Sequence, residues 1–250
     1  MITDAPQIAV FDTAFHATLP EEAFTYALPP RYRELGIRRF GFHGLSVQWA
    51  AERVPAPRLV VCHLGGGCSV TAVRNGRSVD TTMGFTPLEG VPMVTRSGSV
   101  DPGALLFLLR EGHTTLEELG HALEHESGLL GLAGTGDVAV LEHAEDPSAR
   151  LALEIFAHRI AGAVATVAVS LDGLDALVFT AGIGERSAVV RELVCRRLHF
   201  LGVDLDPSAN EAAVPDAELA RAEAAVRIVV LRAREELVIA REARRLLPLT

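Results

Sequence analysis

The stretch Leu59-Val60-Val61-Cys62-His63-Leu64-Gly65-Gly66-Gly67-Cys68-Ser69-Val70-Thr71-Ala72-Val73-Arg74-Asn75-Gly76-Arg77 decides how this 250-residue chain folds. An apolar, β-branched run stops at three glycines, resumes, and reverses at Asn75-Gly76. Asn-Gly supplies the two positive-φ residues of a type I′ turn, so the runs read as antiparallel strands. Glycines at a strand end carry no Cβ, and backbone N–H groups there can approach a polyphosphate closely. The stretch therefore reads as a phosphate-holding β-hairpin, with a nucleotide as its natural ligand. The same glycines also serve a plain bulge or tight corner, and they match neither G-x-G-x-x-G nor the Walker A pattern, whose lysine is missing.

Composition narrows the function classes. At 49% hydrophobic, the chain has enough apolar mass for one large domain or two small ones. The net charge is −9, and all 23 basic residues are arginine. No basic face points to nucleic acid or to an anionic membrane. Without lysine there is no Schiff-base chemistry, and phosphate recognition falls to arginine and its bidentate fork. Cys62, Cys68 and Cys195 lack metal-ligand spacing and an even count, and Cys62 and Cys195, in apolar patterns, read as buried reduced thiols. The first residues lack the features of a signal peptide, and the longest lipophilic stretch, Ala161 to Leu171, is too short to span a bilayer. A cytoplasmic protein is expected.

Along the chain, Ile8 to Phe11 reads as a short strand ending at Asp12, followed by a proline- and aromatic-rich loop. Leu45 to Val54 reads as helix. After the hairpin comes a long loop, Met83 to Gly98, and loops of that length are usually functional or disordered. Asp101-Pro102, Thr114 or Thr115, and Pro147 open helices, the last of them the longest. Leu174 to Phe179 is a buried strand that runs into Thr180-Ala181-Gly182-Ile183-Gly184-Glu185, a second glycine corner, with helix from Ser187. Val226 to Leu231 and Glu235 to Leu246 supply a last strand and a closing helix. This order predicts an α/β fold with a mixed sheet flanked by helices, its ligands gathering beyond the carboxyl ends of the strands.

Eight ordered blocks then fall into one pattern. They are Phe11-Asp12-Thr13-Ala14-Phe15-His16, Arg39-Phe40-Gly41-Phe42-His43-Gly44, His63-Leu64-Gly65-Gly66-Gly67, Met83 to Gly90, Thr95-Arg96-Ser97-Gly98, Ser127 to Gly131, Phe179 to Glu185, and Glu235-Glu236-Leu237. In this order the chain resembles the acetate kinases over nearly its whole length. The resemblance implies an RNase H-like lobe of the actin, Hsp70 and sugar kinase superfamily. Residues 1–250 would form a single such lobe, with an entry segment at 1–57, a nucleotide-binding core at 58–233 and a closing helix at 234–250. The resemblance begins at the family's middle, so the N-terminal lobe is expected to be missing.

By the same resemblance, the chain would transfer a phosphoryl group between ATP and acetate or another short-chain carboxylate, giving ADP and an acyl phosphate. Asp12, His43 and Arg96 match the family's catalytic residues, and Glu235 its Mg²⁺ ligand, with Mn²⁺ as an alternative. His63, Leu64, Gly65, Gly66 and Gly67 would hold phosphates; Asp137, Gly182, Ile183, Gly184 and Glu185 would lie on the adenosine side. Phe42 and Pro87 resemble walls of the acyl pocket. A homodimer is implied, or a separate chain supplying the other lobe. The chain departs from the family at Gly66, usually asparagine, and at Val138 and Ala139, where an arginine is lost beside Asp137. Further departures stand at Ser99, Val47, Arg186 and Arg234. With half the groups around the phosphate expected elsewhere, impaired activity is anticipated. The alternative is a non-catalytic nucleotide-binding or dimerisation module, or a relic.

Overall fold

The computed structural model describes residues 7–247. Two single helical turns, α1 (Glu21–Phe24) and α2 (Pro30–Arg33), lie in the entry segment, followed by α3 (Gly44–Arg53). The decisive stretch forms β1 (Arg58–Leu64) and β2 (Cys68–Arg74), joined at the glycines, and β3 (Arg77–Thr81) follows the turn. Asn75 and Gly76 adopt φ of 49° and 80°, as a type I′ turn requires.

Ile8–Phe11 is not a strand. The outer side of β3, the edge it would need, is taken by the 3-10 turn Ala14–Thr18. There Thr18 Oγ1 donates to the Ser78 carbonyl at 2.8 Å and His16 Nδ1 pairs with Ser78 Oγ at 2.9 Å. Val10 and Phe15 instead pack on the core beneath α3.

Helices α4 (Pro102–Arg110) and α5 (Leu116–His121) follow the long loop, each begun by a local cap. Asp101 accepts from the Gly103 N–H, and Thr115 and Glu118 form a reciprocal capping box. Next come α6 (Gly128–Ala133), α7 (Val138–His143) and the 23-residue α8 (Pro147–Val169), capped by Asp146. Helix α8 is long and apolar enough to cross a membrane by length and composition, a feature the lipophilic run Ala161 to Leu171 did not show. In this fold Phe156, Ile160 and Val164 on α8 are fully buried in the protein core.

The chain then alternates through β4 (Ala176–Thr180), α9 (Ala181–Arg186), α10 (Ala188–Arg197), α11 (Pro207–Glu211), β5 (Ala217–Glu218), β6 (Arg227–Val230) and α12 (Glu235–Leu246). The sheet order is β3-β2-β1-β4-β6-β5. β1 is antiparallel to β2 and parallel to β4, which is parallel to β6. This is a mixed, RNase H-like sheet with helices on both faces. Because side chains alternate, Val60, Cys62 and Leu64 enter the large core under α8, while Leu59 and Val61 enter the smaller core under α3 and α12. The parallel strands β1 and β4 therefore read as continuous apolar runs, buried on both faces.

Candidate active site

The carboxyl ends of β1 and β4 lie side by side, with His63 in register with Thr180. Each strand ends in a glycine corner, and the corners touch. A Cβ built on Gly65 would sit 3.4 Å from Ala181 Cβ and 3.8 Å from the Gly182 nitrogen. The first corner closes on itself through Gly65 N–H donating to the Gly67 carbonyl at 3.0 Å. Gly66 is exposed, whereas Leu64 is fully buried beneath.

Two side chains reach over Gly67. A Cβ there would lie 3.1 Å from His43 Nε2 and 3.2 Å from Arg96 Nη1. His43 sits in the left-handed region at φ 59°, an uncommon conformation for a side chain of its size. Asp12 holds it there. The Asp12 carboxylate accepts from the His43 N–H at 2.5 Å and the Leu45 N–H at 3.2 Å, and its carbonyl accepts from the Gly44 N–H at 2.9 Å. Asp12 thus caps α3 from 31 residues away, satisfying donors that no side chain at the cap position reaches.

His43 stacks on His63 with ring centroids 4.0 Å apart. His43 Nδ1 pairs with Ser69 Oγ at 3.1 Å, and His63 Nδ1 with Ser46 Oγ at 2.8 Å. Burial lowers the His43 pKa to about 4, with the Asp12 carboxylate opposing and Arg96 adding to the shift. Burial, then the neighbouring His43, hold His63 well below the usual histidine value. At neutral pH both rings are uncharged. His63 was expected among the phosphate-holding residues; its ring is buried beneath His43.

Arg96 is carried by the Met83–Gly98 loop, which is pinned at several points. Ser127 and Leu129 N–H groups donate to Thr95 and Met93 carbonyls, both at 2.9 Å, and Ser97 N–H donates to Leu123 O at 3.0 Å. The guanidinium donates to the Pro87 carbonyl at 3.3 Å and contacts Met93 Sδ at 3.7 Å. Among the described residues, no carboxylate lies within ion-pair distance of Arg96. Phe42 packs partly buried against the large core, and its carbonyl accepts from His16 Nε2 at 3.0 Å.

Beyond the glycine corners lies a cavity of about 260 Å³ lined by Gly65, Gly66, Asp137, Gly182, Ile183 and Arg186, among others. The structure thus gathers residues of both nucleotide blocks around one space. Asp137 caps α7 through the Ala139 N–H at 3.0 Å. Glu185 faces elsewhere and accepts from the Ala233 N–H at 2.9 Å, which ties α9 to the loop before α12. Gly184 packs closely over Phe179 and Leu64.

Glu235 opens α12. Its carboxyl pKa is raised, first by burial and then by the charges of Asp12 and Glu236. Among the described residues there is no cluster of three His, Cys, Asp or Glu side chains that could hold a metal. The Glu235 and Asp12 carboxylates, whose charges act on one another, are hard oxygen donors of the kind a divalent cation takes.

Comparison with known proteins bears on this geometry. The family model described as "Acetokinase family" matches residues 1–241. The chain belongs to the acetokinase family. It is 50% identical to an acetate kinase of Gloeobacter violaceus over 95% of this chain and 62% of that protein, and 46% identical to one of Nostoc punctiforme over 96% and 62%. Among solved structures, a Porphyromonas gingivalis acetate kinase matches with TM-score 0.89 at 36% identity, covering 93% of this chain and 62% of that one. A Francisella tularensis propionate kinase matches with TM-score 0.90 at 38% identity, covering 96% and 64%. The chain spans about 62% of the length of the curated acetokinase relatives it matches.

Sequence reasoning missed several residues that shape this site. Ser46 and Ser69, which orient the two imidazoles, sit inside apolar runs with nothing to single them out. Arg191 is fully buried and donates to the Gly184 and Glu185 carbonyls at 2.9 and 3.0 Å and to Asn210 Oδ1 at 2.7 Å. An arginine within the apolar pattern of α10 was the available signal.

Proposed function

We propose that this chain supplies the nucleotide-binding side of an acyl-phosphate-forming kinase, moving the γ-phosphoryl group of ATP directly onto acetate or another short-chain carboxylate. The observation that carries the reading is the meeting of uncharged His43 and carboxylate-free Arg96 over Gly67. Relatives named acetate kinase and propionate kinase support the substrate class.

In the transfer, a carboxylate oxygen bonds to the γ-phosphorus as the bond to the bridging oxygen breaks, and ADP leaves as an oxyanion. No proton has to move. A neutral imidazole therefore serves as a hydrogen-bond donor rather than a base. In the tautomer whose Nδ1 accepts from Ser69 Oγ, Nε2 carries the hydrogen and lies beside Gly67. The Arg96 guanidinium faces the equatorial oxygens, where charge spreads in the transition state; Pro87 aims it from behind. The glycine corners take the remaining phosphates on their amides, and the adenosine enters the cavity past Gly182, with Asp137 and Arg186 at its wall. Asp12 and Glu235 would hold Mg²⁺, which would supply charge neutralisation for the phosphates. Phe42 and Pro87 flank the acyl side.

A polypeptide of these 250 residues is expected to bind Mg·ATP with turnover far below ordinary kinase rates. Calorimetry with ATP and magnesium beside a hydroxamate assay with acetate tests both halves. Binding with little turnover supports the reading; rapid turnover contradicts the impairment, and absence of binding overturns the nucleotide site. We further propose a homodimer, with a reducing, cytoplasmic setting suited to three free, buried cysteines. Helix α4 supports self-association, since it carries Leu106 and Phe107 at 48% and 56% exposure and buries none of its residues.

A further inference from the structure

Thr180 holds the one buried side-chain nitrogen or oxygen among the described residues that lacks a hydrogen-bond partner. The residue is 1% exposed. A buried hydroxyl left unpaired is unfavourable, and native structures keep one mainly where something else completes it. Position in the sheet says where that completion lies. Thr180 pairs in register with His63, and His63 pairs with Ser69 on its other side, so the three side chains form one row on one face at the strand ends. The two neighbours are already committed, His63 to Ser46 and, through Ser69, to the His43 ring stacked above. Thr180 Oγ1 makes no bond to the N–H groups of α9 that follow it. The next residues, Ala181 and Gly182, touch Gly65. The buried, unpaired hydroxyl thus belongs to the row on which the two glycine stretches and His43 are built.

Resting on the kinase reading, we infer that Thr180 Oγ1 is a further ligand-binding group of this site, donating its hydrogen bond to the bound polyphosphate, either to a phosphate oxygen or to a water of the metal–phosphate complex. The inference separates Thr180 from a structural hydroxyl, because a group completed by ligand leaves the free protein less stable than an apolar isostere would. Thr180→Val is the isostere. Its melting temperature without nucleotide should rise by about 2–4 °C. Its Kd for Mg·ATP should rise about tenfold, while Thr180→Ser stays within about twofold of the parent. Repeating the titration with ATP and EDTA distinguishes the two partners. A loss in both conditions indicates a phosphate oxygen, and a loss confined to magnesium indicates the metal-held water; either supports the inference. A lower melting temperature or failure to fold in Thr180→Val, unchanged affinity, or a Thr180→Ser variant as weak as the valine would overturn it. If the parent chain itself binds no ATP, the kinase reading falls with it, a result distinct from a parent that binds and a valine variant that binds equally well.

Discussion

His43 and Arg96 meet over a single glycine, and that meeting governs what each residue can be expected to do. Arg96 has no carboxylate partner among the described residues and touches only a carbonyl and a thioether, so little of the fold depends on its charge. Arg96→Ala should leave the melting temperature nearly unchanged and lower whatever phosphoryl transfer the chain sustains by about 10³-fold, read in the hydroxamate assay. The imidazoles carry a separate prediction about acid. Folding lowers the His43 pKa from 6.5 to about 4, and the His16 and His63 values fall as well. Between about pH 4 and 6.5 the unfolded chain therefore binds more protons than the folded one, so stability rises with pH across that window and levels off above it. Urea midpoints measured from pH 4 to 8 should show this slope, and the His43 Cε1–H resonance should titrate near 4. A midpoint near 6.5 would contradict the buried, neutral ring.

Elements carry the next set of expectations. Helix α6 begins at Gly128 with φ 63°, and a Cβ there would run into the Met93 carbonyl of the Arg96 loop. Gly128→Ala should cost at least about 2 kcal/mol, lowering the melting temperature by about 5 °C or more. Gly67→Ala meets side chains instead of backbone, at 3.1 and 3.2 Å, and needs no positive φ. It should fold with a small change in melting temperature yet bind Mg·ATP more weakly, because the methyl displaces His43 and Arg96; calorimetry beside melting separates the two effects. Helix starts were legible in the sequence where the cap is local. Asp101-Pro102 and Pro147 each open a helix where expected, and of the two candidates Thr114 and Thr115 it is Thr115 that caps α5. The glycine corner after β1 and the turn at Asn75-Gly76 were legible for the same reason, whereas the second glycine stretch, expected as a turn before a helix from Ser187, is itself helix α9. Asp12 was flagged at a strand end, but its cap on α3 spans 31 residues and the expected strand before it does not form. Ser69 and Thr180 are placed by register beside cross-strand neighbours, and Ser46 reaches His63 from α3, relations that no local pattern encodes.

Across the whole molecule, two cores fix a sheet that brings β1 and β4 to a common end, and the site residues are drawn from the entry segment, the Met83–Gly98 loop and the start of α12. The candidate site thus depends on tertiary convergence rather than on any single motif. The exposed apolar helix α4 is the surface through which self-association is expected. A variant carrying Leu106→Glu and Phe107→Glu should sediment as a monomer where the parent sediments as a dimer, with nucleotide affinity intact; a monomeric parent would remove the dimer proposal. The most direct test of the account is a crystal structure of the chain with magnesium and a non-hydrolysable ATP analogue. The terminal phosphate should lie within about 3 Å of both Arg96 Nη1 and His43 Nε2, with the remaining phosphates on the two glycine corners. A terminal phosphate bound away from Gly67, with His43 and Arg96 touching no ligand oxygen, would contradict it.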